Sequence, residues 1–333
     1  MRLLFLAFAL KACFTLSTCS RLTFPSDVTA GPPSPIFQFG SAVEIEDLVV
    51  RPNGKILFTT PSPAAEVWQI NPFQANGSAE IIAQFNRTSA LGITQVDIDV
   101  FAVSTGNIGP GFSGVVGSFA IHLLDFTHGR VAIGQSIDVP DAKFLNKLTM
   151  LDSPSPILLA SDSQRGLVYG IHLASGSAQP LLQDHATMNA TPSFPNGING
   201  IQRVGRFIYY TNSSKGLFCR VGLHPNGTTA GPFEIVANVS NAVPLPDGFT
   251  VLPDDRAFVA GSNQVLYIRA DGRYNVFDGG VNRKELAGVT SAQFGVDSNA
   301  TTLFLTTSGH ISEPATISFN EPGKVISVDV HGL

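Results

Sequence analysis

The sequence predicts an all-β fold, a six-bladed β-propeller with four-stranded blades around a central channel. Three observations predict it. First, a short apolar phrase that ends in small or polar residues recurs at 56–60, 100–104, 157–161, 207–211, 257–261 and 303–307. Second, the starts of these phrases lie 44, 57, 50, 50 and 46 residues apart. Several strands per unit at such a period are the signature of propeller blades. Third, the 3.6-residue apolar period of an amphipathic helix is absent from the chain beyond residue 20.

The stretch 193–221 shows the unit most clearly. An Asn- and Gly-rich turn leads into a strand, a second strand at 207–211, a short turn, and a third strand at 217–221. Equivalent third strands are expected at 67–70, 167–171 and 265–269. In the second and sixth units they come later, at 119–124 and 325–330, after Gly-rich insertions. The segment 35–39 precedes the first unit and is expected to supply the outer strand of the last blade, closing the ring. A seven-bladed ring with one degenerate unit and a two-sheet sandwich array fit the spacing less well.

Composition bounds the function. Of 333 residues, 14% are charged and 44% hydrophobic, which describes a well-buried chain. The formal charge of −5 carries no basic patch, so nucleic acid is not an expected partner. Residues 1–20 combine Arg2, an apolar run and small residues near Ser20, the pattern of a secretory signal peptide. A single propeller domain is expected over 21–333, secreted or in the lumen of the secretory pathway, with no membrane span, as a monomer or dimer. N-x-S/T triplets at Asn76, Asn86, Asn189, Asn212, Asn226, Asn238 and Asn299 are candidate glycosylation sites. Cys13 leaves with the signal peptide, and Cys19 lies at its cut. No disulfide framework is expected, and Cys219, inside a strand phrase, reads as a buried, inert thiol.

The polar residues at the starts of the inner strands are the candidates for chemistry. These starts read Ala42-Val43-Glu44-Ile45-Glu46-Asp47-Leu48, Ile93-Thr94-Gln95-Val96-Asp97-Ile98-Asp99, Phe144-Leu145-Asn146-Lys147-Leu148, Pro195-Asn196-Gly197-Ile198-Asn199-Gly200, Pro246-Asp247-Gly248-Phe249 and Thr290-Ser291-Ala292-Gln293. Taken singly, Asn-Gly and Asp-Gly are also ordinary turn formers. The histidines do not converge, and HxxxH and HExxH are absent, so no zinc site is expected. His122 and His310 are read as surface or packing residues, with a place leaning over a mouth of the channel as the alternative. There is no GxSxG elbow and no phosphate-cradling Gly-rich loop.

The ordered set Glu46, Asn146, Asn199-Gly200 (or Asn196-Gly197) and Pro246-Asp247-Gly248 resembles the motifs of the SMP-30/gluconolactonase superfamily of six-bladed propellers. The likeness runs over nearly the whole chain after residue 20. It implies a divalent cation, calcium or a similar hard ion, at the channel floor on Glu46, Asn146, Asn199 and Asp247. It also implies a lactonase-type hydrolysis in which the ion polarises a carbonyl and an acid acts as base. Two residues depart from the pattern. Lys147 replaces the small, acidic surroundings of the usual Asn, and Asp47 replaces the Gly after the first Glu. A lysine there would repel a dication, or pair with Glu46 or Asp247 in its place.

In layout and phrasing the chain also resembles secreted fungal propellers of secondary metabolism, the hetero-Diels–Alderases of tropolonic sesquiterpenoid biosynthesis. That resemblance implies a pericyclase joining a quinone-methide-like heterodiene to an alkene of a hydrophobic terpene, with no cofactor required. Glu46 or Asp247 would then act as the acid, with Asn199, Lys147, Gln95 and Gln293 as hydrogen-bond donors. Asn146, Phe249 and Phe294 would line the substrate's cup, a place that 24 Phe residues in the chain make chemically apt. Three functions therefore stand: a cyclase, a metal-dependent lactonase or esterase, and a non-catalytic propeller that binds a ligand or protein.

Overall fold

Short runs of Val, Ile, Leu, Phe and Tyr, broken every few residues by Gly, Asn or Ser, suit a pleated, half-buried surface. In the computed structural model of the chain these runs form six antiparallel blades and two small hairpins. The structure describes residues 28–74, 78–151, 156–280, 283–296, 301–313, 316–319 and 321–333. The expected signal peptide at 1–20, Cys13, Cys19, Asn76 and Asn299 lie outside the described residues.

Blade 1 runs Leu48–Val50, Ile56–Thr60, Glu66–Ile70, Glu80–Gln84 from the channel outward. Blade 2 has Ser89–Asp97, Val100–Gly106 and Ala120–Asp125, with the two short segments Ala132–Ile133 and Ile137–Asp138 sharing its edge. Blades 3, 4 and 5 begin with Leu145–Leu151, Ile198–Val204 and Pro246–Val251, and each has four strands. Blade 6 has Val289–Phe294, Thr302–Thr307 and Lys324–His331. Its outer edge comes from the other end of the chain. Ser34–Gln38 pairs antiparallel with Lys324–His331, Ser34 opposite Ser327, and Thr29–Ala30 extends the pairing to His331. The strand expected at 35–39 thus closes the ring.

The core is not one mass. Buried side chains form six wedges, each between the faces of neighbouring blades. Leu57, Val67, Phe101 and Leu124 pack between blades 1 and 2. Ile45, Phe58 and Val325 pack between blades 6 and 1. This arrangement follows from the period-2 alternation of strands, which gives each blade two apolar faces when both neighbours are blades. The second-strand phrase at Ile56–Thr60 is buried throughout, as a strand covered on both faces must be. Cys219 is fully buried, and burial pushes its thiol up to about 12.

Candidate active site

Each inner strand carries a local irregularity at the same height. The pairing register slips at Ala90/Ile93, Leu145/Leu148, Ile198/Ile201, Pro246/Phe249 and Val289/Ser291. Blade 1 does the same through hydrogen bonds, with Glu46 N donating to Thr59 O and Thr59 N to Asp47 O, both at 3.0 Å. These are β-bulges, which turn two consecutive side chains toward the channel.

The first residue at each bulge is Glu46, Leu91, Asn146, Asn199, Asp247 and Thr290. All six line one cavity, the cup. The second residue is Asp47, Gly92, Lys147, Gly200, Gly248 and Ser291. Apart from Gly92, these line a separate cavity at the opposite mouth. Glycine here has a steric cause. A Cβ on Gly200 would stand 2.5 Å from Asp247 O, and one on Gly248 would stand 2.7 Å from Thr290 O.

The polar ends of the second strands lock this ring. Gly200 N donates to Thr211 Oγ1 at 2.8 Å, and that hydroxyl donates to Asp247 O of the next blade at 2.7 Å. Ser161 links Lys147 N to Asn199 O at 3.1 and 2.6 Å. Ser104 links Gly92 N to Asn146 O at 2.8 and 2.7 Å. Each hydroxyl satisfies one donor freed by its own blade's bulge and one acceptor of the neighbour.

The cup is a cavity of about 150 Å³ that opens to solvent at its mouth. Its walls are Leu91, Ile108, Phe112, Phe144, Phe194 and Leu245. Phe112 sits on the hairpin after the second strand of blade 2 with φ 59°, and its carbonyl accepts from Gln164 Nε2 of blade 3. The polar floor is tightly bonded. Asn146 Nδ2 donates to Asn199 Oδ1 at 2.7 Å and to Ser163 Oγ at 3.2 Å. Asn199 Nδ2 donates to Ser213 Oγ at 2.9 Å. Asn146 Oδ1 and Asp247 Oδ1 are buried without a hydrogen-bond partner.

Burial, and then the charge of Glu46, hold the Asp247 carboxyl well above the usual carboxylate range; Lys147 and a hydrogen bond from Asn199 pull the other way. Glu46 is also raised, by burial first, against the lowering effect of Lys147. Beside it Glu44 is pushed up to about 7 by burial and by Glu46. Buried carboxyls of like charge favour the neutral form in this way.

The structure brings Glu46, Asn146, Asn199 and Asp247 together at the cup floor, and Asn196 beside them on the lining. It places the other expected residues elsewhere. Lys147 stands one residue past the bulge's first position and lines the opposite cavity. Phe249 and Gln293 line that cavity too. Phe249 also meets Phe218 edge-on at 5.2 Å. Phe294 packs edge-on against Phe258 at 5.3 Å, outside both cavities. Gln95 Nε2 donates to Asp97 O at an exposed strand end. The reason is shared. Each inner strand runs from the cup to the far mouth, so side chains beyond its bulge never face the cup. The sequence left Glu44 without a role and favoured a surface or packing place for His310 over one at a mouth, yet both line the cup. Glu44 was findable, because it lies on the same strand face as Glu46 by period-2 alternation. His122 packs against Phe85 with ring centroids 4.4 Å apart, as a packing residue should.

The implied cation meets a donor set that is partly taken. Lys147 Nζ is 3.4 Å from Glu46 Oε1, and Asn199 Oδ1 already accepts from Asn146. Among the described residues no three His, Cys, Asp or Glu side chains converge on a metal-holding position. Hard-ion sites need six to eight oxygens, and these residues do not fit one.

Of the candidate glycosylation sites, Asn86, Asn226 and Asn238 are exposed. Asn189 is partly buried, with its amide 2.7 Å from His185 Nδ1. Asn212 is fully buried, and its Nδ2 donates to Thr187 O and Asn189 O at 2.8 and 3.0 Å. A glycan on that nitrogen is incompatible with the fold. No helix among the described residues is long and apolar enough to cross a membrane.

No protein-family model matches the chain. A protein of Sarocladium schorii named as a candidate hetero-Diels-Alderase is 25% identical over 228 residues, 61% of this chain and 57% of that protein's own length. A Phoma protein with the same kind of name is 23% identical over 78% of this chain and 82% of its own. Among solved structures, a luciferin-regenerating enzyme superposes with TM-score 0.63 at 15% identity, over 91% of this chain and 97% of its own. The calcium-binding protein regucalcin of Agrobacterium tumefaciens gives 0.61 at 14% identity, over 91% and 95%. A gluconolactonase of Xanthomonas campestris gives 0.60 at 12% identity, over 92% and 96%. The chain is thus similar in sequence to two proteins named for cycloaddition, and shares its six-bladed architecture with propellers of the SMP-30/gluconolactonase type.

Proposed function

We propose that the cup catalyses an intermolecular hetero-Diels–Alder cyclisation, joining a quinone-methide-like heterodiene to an alkene of a hydrophobic terpene. One observation carries this reading, the separation of the cup into apolar walls and a small floor of amides and carboxyls. A pocket of this kind takes up apolar, carbonyl-bearing reactants and orients them through a few polar atoms. The names of the two similar proteins support it.

The floor supplies proton transfer to generate the heterodiene. The Asp247 carboxyl, held above the usual carboxylate range by burial and by Glu46, is the proton donor. It protonates a benzylic hydroxyl of the precursor, which leaves as water. Glu46 takes the phenolic proton, and the freed electron pair closes the quinone methide. One proton is given and one is taken, so the carboxyl pair ends with its original count. Asn146 Oδ1, with no partner of its own, accepts from a substrate hydroxyl and fixes its position. The cycloaddition then moves no proton. The Phe112, Phe144 and Phe194 walls hold diene and alkene in register, which removes much of the entropic barrier. The proposal includes passage through the secretory pathway, supported by the pattern of residues 1–20 and by exposed sequons at Asn86, Asn226 and Asn238.

The test is to incubate the purified protein with an ortho-hydroxybenzyl alcohol precursor and a trisubstituted terpene alkene, and to follow adduct by chiral chromatography and mass spectrometry. We expect a single stereoisomer formed above the background rate. Glu46→Gln and Asp247→Asn are each expected to slow it about 10²-fold or more, the usual worth of a positioned acid or base. Racemic adduct at the background rate, or turnover of a lactone panel instead, would overturn the proposal.

A further inference from the structure

We propose that the Lys147 ammonium, held against Glu46 in the throat beneath the cup floor, takes the place of a divalent cation, so that the folded protein takes no divalent ion there, and that a neutral residue at this position opens a calcium site. The inference concerns ion occupancy and stands apart from the cyclase reading.

Lys147 rises from the second bulge position of blade 3 into the throat between the two cavities. Its side chain is 4% exposed. Its three protons have three acceptors within reach. Nζ donates to Glu46 O at 2.7 Å, and lies 3.2 Å from Asp47 Oδ1 and 3.4 Å from Glu46 Oε1. Asp47 cannot swing aside to release it. Ser291 Oγ donates to Asp47 Oδ1 at 2.7 Å, and Ile93 N donates to Oδ2 at 3.0 Å. The throat is thus tied to blades 1, 2, 3 and 6 at once. A buried ammonium drawn out of such a cage would leave its carboxylates uncompensated. Burial works against its charge, but the carboxylates of Asp47 and Glu46, which it touches, outweigh that and keep it charged.

The geometry also says what replacement would do. Without the ammonium, Glu46 and Asp47 lose their shared counter-charge, and Glu46 lies on the same cup lining as Asp247, Asn199 and Asn146, whose Oδ1 has no partner now. That is a set of hard oxygens with net negative charge, the chemistry calcium selects. A dication entering the native floor would meet a fixed positive charge on a shared ligand, Glu46.

The experiment is isothermal titration calorimetry with CaCl₂ and MnCl₂ on chelator-treated protein, with elemental analysis of the protein as purified and thermal melts with and without the ion. The native protein is expected to carry no stoichiometric divalent metal, to give no binding heat at millimolar ion, and to melt at the same temperature either way. Lys147→Met is expected to bind one calcium at least 100-fold more tightly than the native protein and to gain melting temperature from it. Lys147→Arg, which keeps the cation, is expected to behave as the native protein does. One equivalent of tightly held metal in the native protein overturns the proposal. So does a folded Lys147→Met that binds calcium no better. Should that variant fail to fold, Asp47→Asn/Lys147→Met removes the ion pair without a change of net charge. It is expected to bind calcium on the remaining floor oxygens, and its failure to do so is equally decisive.

Discussion

Replacing Thr211 by Val tests the hydroxyl ring with little change of shape. Thr211 is fully buried. Its Oγ1 accepts from Gly200 N at 2.8 Å and donates to Asp247 O at 2.7 Å. Valine fills the same volume and removes both bonds. The Gly200 N–H lies at the bulge, where the ladder has slipped, so no strand carbonyl takes over. A buried polar group left unsatisfied costs about 1–3 kcal/mol. The Asp247 carbonyl is only partly buried, so its share falls at the low end of that range. The sum is about 2–4 kcal/mol, a large part of the ~5–15 kcal/mol that holds a typical domain together. Urea unfolding followed by circular dichroism measures it. Thr211→Ser keeps the hydroxyl and loses one methyl, so its cost should stay near ~1 kcal/mol. A Thr211→Val protein within about 0.5 kcal/mol of the native one would refute the reasoning, as would a Ser variant as unstable as the Val variant.

Three other outcomes follow from the geometry. With the Cys219 thiol raised to about 12 by burial, a thiol reagent at pH 8 should leave it untouched in the folded protein and react fully in guanidinium; rapid labelling of the native form would contradict that placement. Arg51 forks onto Asp99 at 2.9 and 2.6 Å and lies over the Phe126 ring, so Arg51→Met should cost about 2–4 kcal/mol in the same unfolding assay, and Arg51→Lys should recover little of it. Mass spectrometry after glycosidase treatment in heavy water should mark Asn86, Asn226 and Asn238 and never Asn212; Asn212→Gln should destabilise the fold while the three surface changes should not.

The residues differ in how readable they were, and for physical reasons. The second-strand phrases are buried on both faces, so they read as unbroken apolar runs; Ile56–Thr60 and Ala257–Gly261 match the expected bounds at both ends. Their hydroxyl endings, Thr59, Ser104, Ser161 and Thr211, were visible as punctuation. That each one bonds a neighbouring blade was not visible, because the partner lies tens of residues away. The inner strands were harder. A bulge breaks the period-2 pattern where the functional residues sit. Asp247 and Asn199 were found through their glycines. The strand Ser89–Asp97 begins four residues before the expected start at Ile93, so Gln95 was taken for a cup residue in place of Leu91. The cup walls Ile108, Phe112 and Phe194 come from connecting segments whose sequence carries no periodic signal.

The pairing of Ser34–Gln38 with Lys324–His331 bears on the order in which the molecule can form. Register partners there lie almost a full chain length apart, as Ser34 and Ser327 do. Closing such a loop early in folding is entropically costly, and chains dominated by distant pairings fold slowly. During synthesis blades 1 to 5 have all their residues well before blade 6 does, yet the wedge between blades 6 and 1 must wait for the last strand to emerge. Until then the edge of Ile36 and Phe37 has no partner and offers unpaired backbone to other chains. Loss of either strand would extend that interval indefinitely, so aggregation, rather than lost binding, is the first defect such truncations should show.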